Sequence, residues 1–390
     1  MTQEKKAPRW RKILLIVGIV LLVLLAAGFG GWQLLMQYFY RQYYQDAYQP
    51  LLISAEQIAP GPAEHHLDDV PWIASDIPAC QSISLQMIAA QHGIVEPRRH
   101  FDFLMAFTYG ASEIPGMVGF FPAGTDPEEG LRDAAPYLGL VRRYYTTDDP
   151  ALYLQALRSY LAQGYPVRVA LDMGALYGVE EFTAHSEVLV GYDAAGFFFY
   201  ETVCWPPATC TPGERPAGEV GLYVPDERLL AAVENQRDQF SYPWRYSLTI
   251  FEPGPLVTDL GPVWTRLAEA TLGGSAYGPR TGAAVIETVA NQVEQQGPSF
   301  DVETTRLGLE AAVRFRRDNA QYLREAFPGE ADLEQAAALF EQAAGHYQEA
   351  LDAIADGIAD SAEAARIATA LRAAAAAERG VGAILEARGQ

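Results

Sequence analysis

Positive charge and cysteine are both scarce in this chain of 390 residues. Lysine and arginine number 28 against 49 aspartates and glutamates, which leaves a net charge of −21. No basic stripe is available to neutralise phosphates, so we expect no nucleic-acid partner. Only three cysteines and six histidines are present, so few side chains are candidates for a thiol nucleophile and its histidine base. The apolar residues, 49% of the chain, are sufficient for a packed core.

Charge is missing altogether from one stretch near the N-terminus, which runs from Ile13 to Tyr40. Its most apolar part, Ile13–Leu35, has 23 residues, long enough to cross ~30 Å of hydrocarbon as a helix. Basic residues precede it, which predicts a cytoplasmic tail at 1–12, a transmembrane anchor at 13–35 and all later residues outside the cell membrane. The lipid bilayer is then an expected partner. A cleaved signal peptide is the alternative, although its apolar region is usually about 7–15 residues long.

Three regions follow the apolar stretch, and their composition predicts the fold class. Residues 36–69 are predicted to form a polar tether, in which the HHLDD segment is interpreted as a solvated linker rather than a metal site. Neither a metal nor another cofactor is expected. Residues 70–257 show helical patterns first and an antiparallel sheet later, which favours an α+β domain. Alanine dominates beyond about residue 260, so residues 258–390 are predicted to form an all-α bundle.

Individual elements follow from apolar periodicity and turn residues. The strands of the α+β region are predicted at Pro166–Met173, His185–Asp193 and Gly196–Val203, and in the segments GLYVP and RYSLTIFEP. The helices of the C-terminal region are predicted at Val263–Leu272, Gly282–Gln296, Val302–Phe327, Ala331–Ile358 and Ser361–Glu386.

Cys80 begins the segment CQSISLQMIAAQHG, which is typical of a short amphipathic helix that stops at Gly93. A helix N-terminus stabilises a thiolate, so Cys80 is a candidate nucleophile. The alternative is core packing, because free cysteine is among the most buried residue types. Cys204 and Cys210 lie six residues apart in a proline-rich segment, and a disulfide between them is plausible outside the cytoplasm. Cys80 would then be the unpaired thiol.

His185 begins a predicted strand that turns near Asp193 and returns towards Glu201. A carboxylate beside a catalytic histidine orients the imidazole through its second nitrogen. If the hairpin centres on Asp193, His185 lies opposite Glu201 and the carboxylate can reach the ring. If the turn is a three-residue loop with a bulge, Leu189 faces Glu201 and His185 is ~13 Å further along the strand. Glu187 shares the face of His185 and is a second candidate.

Two stretches of the chain resemble the bacteriocin-processing (double-glycine leader) cysteine peptidases. They are VPWIASDIPACQSISLQMIAAQHG, which contains Cys80, and AHSEVLVGYDAAGFFFYETV, which contains His185 and Glu201. The resemblance covers residues 70–205 and implies a papain-like fold. It implies Cys80 as the nucleophile, His185 as the base and Glu201 as the acid that orients the ring. The substrate implied is a peptide or an acylated small molecule.

A second resemblance is to the butirosin biosynthesis protein H-like acyltransferases. It rests on the Cys-Gln-Ser start of the Cys80 helix, on PVRVALDMGALYG before the histidine strand, and on the helical C-terminal region. It implies transfer of an aminoacyl group from a carrier-protein thioester to an amine.

The chain departs from the peptidase pattern around the nucleophile. Gln81 and Ser82 follow Cys80 where the peptidases have Gly-Pro, and Ala74 stands where their oxyanion glutamine is expected. Ser75 or Gln81 is the candidate to replace that donor. Three functions therefore stay open: a cysteine peptidase or amidase, favoured by the expected position outside the membrane, an acyltransferase, and a non-catalytic domain that binds peptide or cell-wall material. The oligomeric state is not predicted.

Overall fold

The computed structural model of the protein describes residues 31–32, 35, 38–39, 41–106, 110–114, 117–121, 127–203, 213–214, 220–273 and 280–390. The chain forms two compact units, residues 1–49 and residues 50–390. In the first unit the described residues between 31 and 48 are helical. The second unit contains the sheets, the C-terminal helices and every candidate site residue.

The second unit mixes strands and helices as far as Thr281 and is helical from there to its end. Its strands are β1 (Leu51–Leu52), β2 (His65–His66), β3 (Ile73–Ala74), β4 (Gly110–Ile114), β5 (Met117–Phe121), β6 (Leu140–Thr147), β7 (Val167–Asp172), β8 (Ala184–Tyr192), β9 (Gly196–Tyr200), β10 (Gly213–Glu214), β11 (Leu222–Pro225), β12 (Tyr246–Pro253) and β13 (Arg280–Thr281). Its α-helices are α1 (Cys80–Gln91), α2 (Arg98–Leu104), α3 (Pro127–Ala134), α4 (Pro150–Ala162), α5 (Met173–Tyr177), α6 (Asp226–Phe240), α7 (Gly261–Leu272), α8 (Gly282–Gln296), α9 (Val302–Ala326), α10 (Ala331–Ala353) and α11 (Ser361–Gly389). Short 3-10 helices occupy Ala55–Gln57, Ala135–Leu138 and Gly297–Ser299.

The main sheet has eight strands and confirms the α+β class. Its order is β1-β6-β12-β7-β8-β9-β11, with β2 paired to β8. The pairs are antiparallel except β1 with β6, which is parallel. The strands β7 and β8 are almost wholly buried, as expected for apolar runs at the centre of a sheet. The segment predicted to be a tether contributes β1 and β2 to this sheet.

The hairpin of β8 and β9 adopts neither of the two registers considered from the sequence. Val188 pairs with Tyr200, and beyond a bulge Gly191 pairs with Phe198. Continuing the first register places Glu187, rather than His185 or Leu189, opposite residue 201. The observed register lies between the two that were considered, because the bulge adds one residue to β8.

Helix α1 begins at Cys80 and ends at Gln91, as the sequence predicts. Gly93 has a φ of +80°, the left-handed conformation that glycine adopts most readily. Eight of its 12 residues are buried and none is exposed, so the helix is not amphipathic as predicted, and it packs against β8. This packing places Cys80 next to the strand that carries His185.

The C-terminal helices agree closely with the sequence prediction. Helix α11 packs against α7, α8 and α10, and its many buried alanines allow a close approach. A buried ion pair joins Arg316 of α9 to Glu378 of α11 (2.6 Å), and the Tyr347 hydroxyl of α10 donates to the same carboxylate (2.6 Å). These helices belong to the same compact unit as the main sheet.

The expectation of a transmembrane anchor is corrected by the structure. Among the residues described, no helix is both long and apolar enough to cross a membrane. The helices that are long enough, α9, α10 and α11, carry charged side chains along their whole length. Of the predicted anchor at 13–35, only residues 31, 32 and 35 lie within the described part. The structure therefore supports an α+β body followed by helices, and the predicted single-pass localisation is withdrawn.

Candidate functional site

The nucleophile candidate, Cys80, is the first residue of α1, and its free thiol is half-buried. The segment before the helix is attached to the end of the β8–β9 hairpin. The Ser75 N–H donates to the Thr202 carbonyl oxygen (2.9 Å), and Ser75 pairs with Val203 in an isolated parallel bridge. These contacts bring the start of α1 to the strand end that carries Glu201.

The structure brings His185 and Glu201 into direct contact. Nε2 of His185 lies 2.7 Å from Oε1 of Glu201, and both side chains are buried. His185 is diagonal to Glu201 across the hairpin rather than opposite, a separation that long side chains can bridge. The sequence-predicted pair is thus formed, although the register that forms it differs from the predicted one.

The carboxylate of Glu201 is saturated with hydrogen-bond donors. Oε1 accepts from His185 Nε2 and from the Val203 N–H (3.0 Å), and Oε2 accepts from the hydroxyl of Tyr177 at the end of α5. Burial alone would raise the pKa of Glu201, but His185, Tyr177 and the Val203 N–H together lower it below its ordinary value. Trp72 donates to the Glu201 carbonyl oxygen (2.9 Å) and holds its backbone. Glu201 is therefore an anion in a fixed position.

The imidazole of His185 also contacts the Cys80 thiol. Burial by itself would lower the pKa of His185, but the charge of Glu201 and a hydrogen bond with the Cys80 side chain raise it well above its ordinary value. Nε2 of the ring faces the two carboxyl groups. The arrangement favours an imidazolium between a thiol group and a carboxylate.

Glu187 is a second carboxyl group inside the site. It is fully buried, and its Oε1 lies 3.1 Å from Nε2 of His185, close enough for an ion pair but without the geometry of a hydrogen bond. Burial and the neighbouring Glu201 charge raise the pKa of Glu187 well above its ordinary value, which favours the neutral acid. The ligand atoms of His185, Glu187 and Glu201 all lie within 4.8 Å of one another, so this group could hold a metal ion.

A buried arginine lies beneath the first turn of α1. Arg168 of β7 donates to Gln81 Oε1 (2.5 Å) and to the Ser186 hydroxyl (2.8 Å), and it forms an ion pair with Glu128. The Ser186 hydroxyl also hydrogen-bonds to the Ser84 hydroxyl of α1 (2.9 Å). The network attaches the start of α1 to the strands that carry His185.

The two oxyanion candidates from the sequence both have structural partners. The amide oxygen of Gln81 is occupied by Arg168, and the Ser75 hydroxyl accepts from the Ile77 N–H (3.2 Å) in the turn before α1. In both contacts the oxygen is the acceptor, so neither contact uses the donor hydrogens of the Gln81 amide or the Ser75 hydroxyl. Their proposed oxyanion role stays a prediction.

Sequence reasoning missed two of the residues that complete the site. Tyr177 lies eight residues before His185, and no motif marks it as a partner of Glu201. Arg168 is part of an apolar strand pattern that hides its role. The predicted disulfide residues Cys204 and Cys210 lie outside the described part of the chain.

No model of a known protein family matches this chain, and no curated protein matches it either. The function has to be argued from the geometry of the site.

Proposed function

We propose that this protein is a cysteine peptidase or amidase that works through a Cys80–His185–Glu201 triad. The observation that supports it best is the position of His185, whose ring contacts a half-buried thiol on one side and a saturated carboxylate on the other. More than a hundred residues separate Cys80 from His185, and a thiol placed only for core packing does not need this partner. The resemblance to cysteine peptidases assigns the same three roles.

In the proposed reaction the Cys80 thiolate attacks the carbonyl carbon of an amide, and a carbon–sulfur bond forms. The His185 imidazolium gives its Nδ1 proton to the leaving amine as the carbon–nitrogen bond breaks. A water molecule then attacks the thioester while His185 accepts a proton from it, the carbon–sulfur bond breaks, and the Cys80 thiolate is released with the acid product. Glu201 keeps the ring oriented and stabilises the imidazolium through both steps.

The first turn of α1 supplies donors for the negative oxygen of the intermediate. The first intrahelical hydrogen bond runs from the Ile83 N–H to the Ala79 carbonyl (3.0 Å). The N–H groups of Cys80, Gln81 and Ser82 precede it and have no acceptor within the helix. Backbone donors of this kind, next to the sulfur, stabilise an oxyanion without a glutamine side chain.

Selective alkylation tests the proposal. An ordinary thiol is only about 3% ionised at pH 7, so a thiolate–imidazolium pair should react with iodoacetamide up to about 30-fold faster. We expect peptide mapping by mass spectrometry to find Cys80 alkylated first, at a rate that His185→Ala reduces by about 10-fold or more. His100→Ala is the matched control, because His100 hydrogen-bonds to Tyr322 (2.7 Å) and not to a thiol. Equal rates in the wild type and in His185→Ala would contradict the triad.

The acceptor of the acyl group, water or an amine, is tested separately. The full chain is incubated with p-nitrophenyl acetate as an acyl donor, and the acetyl adduct on Cys80 is followed by intact mass. Decay in water alone supports hydrolysis. Decay that requires added glycinamide would instead indicate the acyltransferase function.

A further inference from the structure

The proposed reaction gives no task to Glu187, although its side chain points into the site. Its carboxyl group is fully buried and lies 3.1 Å from His185 Nε2, but neither of its oxygens has a hydrogen bond of good geometry. A buried polar group without a hydrogen-bond partner costs free energy. A ligand that pairs with this group would therefore gain binding free energy. The surrounding atoms show which ligand fits.

One imidazole nitrogen and two carboxylate groups meet at this point. The ligand atoms of His185, Glu187 and Glu201 lie within 4.8 Å of one another, and all three side chains are buried. Imidazole together with carboxylates suits first-row divalent ions, and two carboxylates balance a charge of +2. We propose that His185, Glu187 and Glu201 form a binding site for such an ion, for which Zn²⁺ is the test probe.

The two ligand pairs that include His185 require only a small adjustment. Zinc bonds of ~2.0–2.1 Å place neighbouring tetrahedral ligand atoms about 3.3 Å apart. Nε2 of His185 lies 2.7 Å from Glu201 and 3.1 Å from Glu187, so the side chains need to open by a few tenths of an ångström. The Tyr177 hydroxyl and the Val203 N–H already donate to the Glu201 carboxylate, and outer hydrogen bonds of this kind orient metal ligands.

Metal binding would switch off the thiol chemistry, a consequence that rests on the proposed function. The ion takes the Nε2 lone pair, and the protons on Nε2 and on Glu187 leave to solvent. The neutral, metal-bound ring keeps its remaining proton on Nδ1. His185 can then no longer accept a proton, and the loaded protein should not turn over.

The binding experiment is independent of the proposed activity, because it uses the full chain with the substitution Cys80→Ser. Zn²⁺ affinity is measured after EDTA treatment by competition with a chromophoric chelator. We expect one ion per chain, and at least about 10-fold weaker binding when Glu187→Gln is added. Glu180→Gln in the same background is the matched control, because Glu180 is exposed and should leave the affinity unchanged. Near-UV circular dichroism verifies that the protein carrying Glu187→Gln is folded.

Three results would overturn the metal site. They are the absence of stoichiometric binding to the Cys80→Ser protein, an affinity that Glu187→Gln leaves unchanged, and binding that needs Cys80 but not Glu187. The Co²⁺ spectrum of the wild type decides the last case if Glu187→Gln fails to fold, because a thiolate charge-transfer band would identify Cys80 as a ligand. Each of these measurements leaves the alkylation test of the triad untouched.

Discussion

Removing the Tyr177 hydroxyl tests whether Glu201 is held by its donors. The carboxylate is buried and accepts from His185, from the Val203 N–H and from Tyr177. The change Tyr177→Phe keeps the ring and deletes one charge-assisted hydrogen bond. Such a bond is worth about 1.5–3 kcal/mol, because its loss leaves the buried acceptor without that partner. We expect the free energy of unfolding to fall by about this amount.

Urea unfolding followed by tryptophan fluorescence measures the effect. A lower midpoint with an unchanged slope would identify a loss of stability rather than a change of the unfolded state. The rate of Cys80 alkylation at pH 7 should also fall, but less than in His185→Ala, because the ring keeps its contacts with Glu201 and Cys80.

Tyr165→Phe is the matched control for this prediction. Tyr165 is also half-buried. It lies six residues before Leu171, the strand partner of His185, and so belongs to the same region of the fold. A loss below about 0.5 kcal/mol in Tyr177→Phe, or an equal loss in both variants, would refute the reasoning.

Three further predictions concern the surroundings of the site. Arg168→Met should cost about 3 kcal/mol of stability in urea unfolding, because it leaves the buried Glu128 carboxylate short of an ion-pair partner. Gly174→Ala should destabilise α5 by at least about 1–3 kcal/mol, since a Cβ there would collide with the backbone carbonyl of Glu181, and it should slow Cys80 alkylation. Burial raises the pKa of Asp102 to about 6 from its ordinary value of 3.8. As pH rises, the unfolded chain therefore releases this proton before the folded protein does, and the free energy of unfolding falls. Between pH 5 and 7.5 the wild type should lose ~1.4 kcal/mol more stability than Asp102→Asn.

Each of these three has a result that would contradict it. Arg143→Met is the control for the arginine, because Arg143 forms a partly exposed pair with Glu252, and an equal cost in both would refute the buried network. A Gly174→Ala protein with unchanged stability would show that α5 moves freely. Parallel pH profiles for the wild type and Asp102→Asn would show that this carboxyl keeps its ordinary pKa.

Local patterns predicted much of the secondary structure. The start of α1 at Cys80, strands β7 to β9 and the five C-terminal helices all follow from apolar periodicity and turn residues, which depend on near neighbours in the chain. Strand β6 was missed because Arg142 and Arg143 interrupt its apolar pattern. In the structure Arg142 is paired with Glu128 and Arg143 with Glu252, so tertiary contacts satisfy charges that look exposed in the sequence.

The membrane anchor was the largest error of the sequence reasoning. It rested on hydropathy alone, and among the described residues no helix has the length and apolar character to cross a membrane. The preference for hydrolysis that was drawn from that topology therefore loses its support, and the acceptor has to be decided by experiment.

Within the candidate site, spacing along one hairpin indicated that His185 and Glu201 could pair, but it did not predict the register, which a bulge in β8 sets. The sequence contains no comparable pattern that predicts contacts between distant segments. The packing of α1 on β8 places Cys80 at His185, α5 delivers Tyr177 to Glu201, and the folded core encloses Arg168 and Glu187. Short-range hydrogen bonds and side-chain periodicity depend on residues that are close together in the chain. The contacts between distant segments result from many weak packing interactions, which exist only once the whole unit has folded.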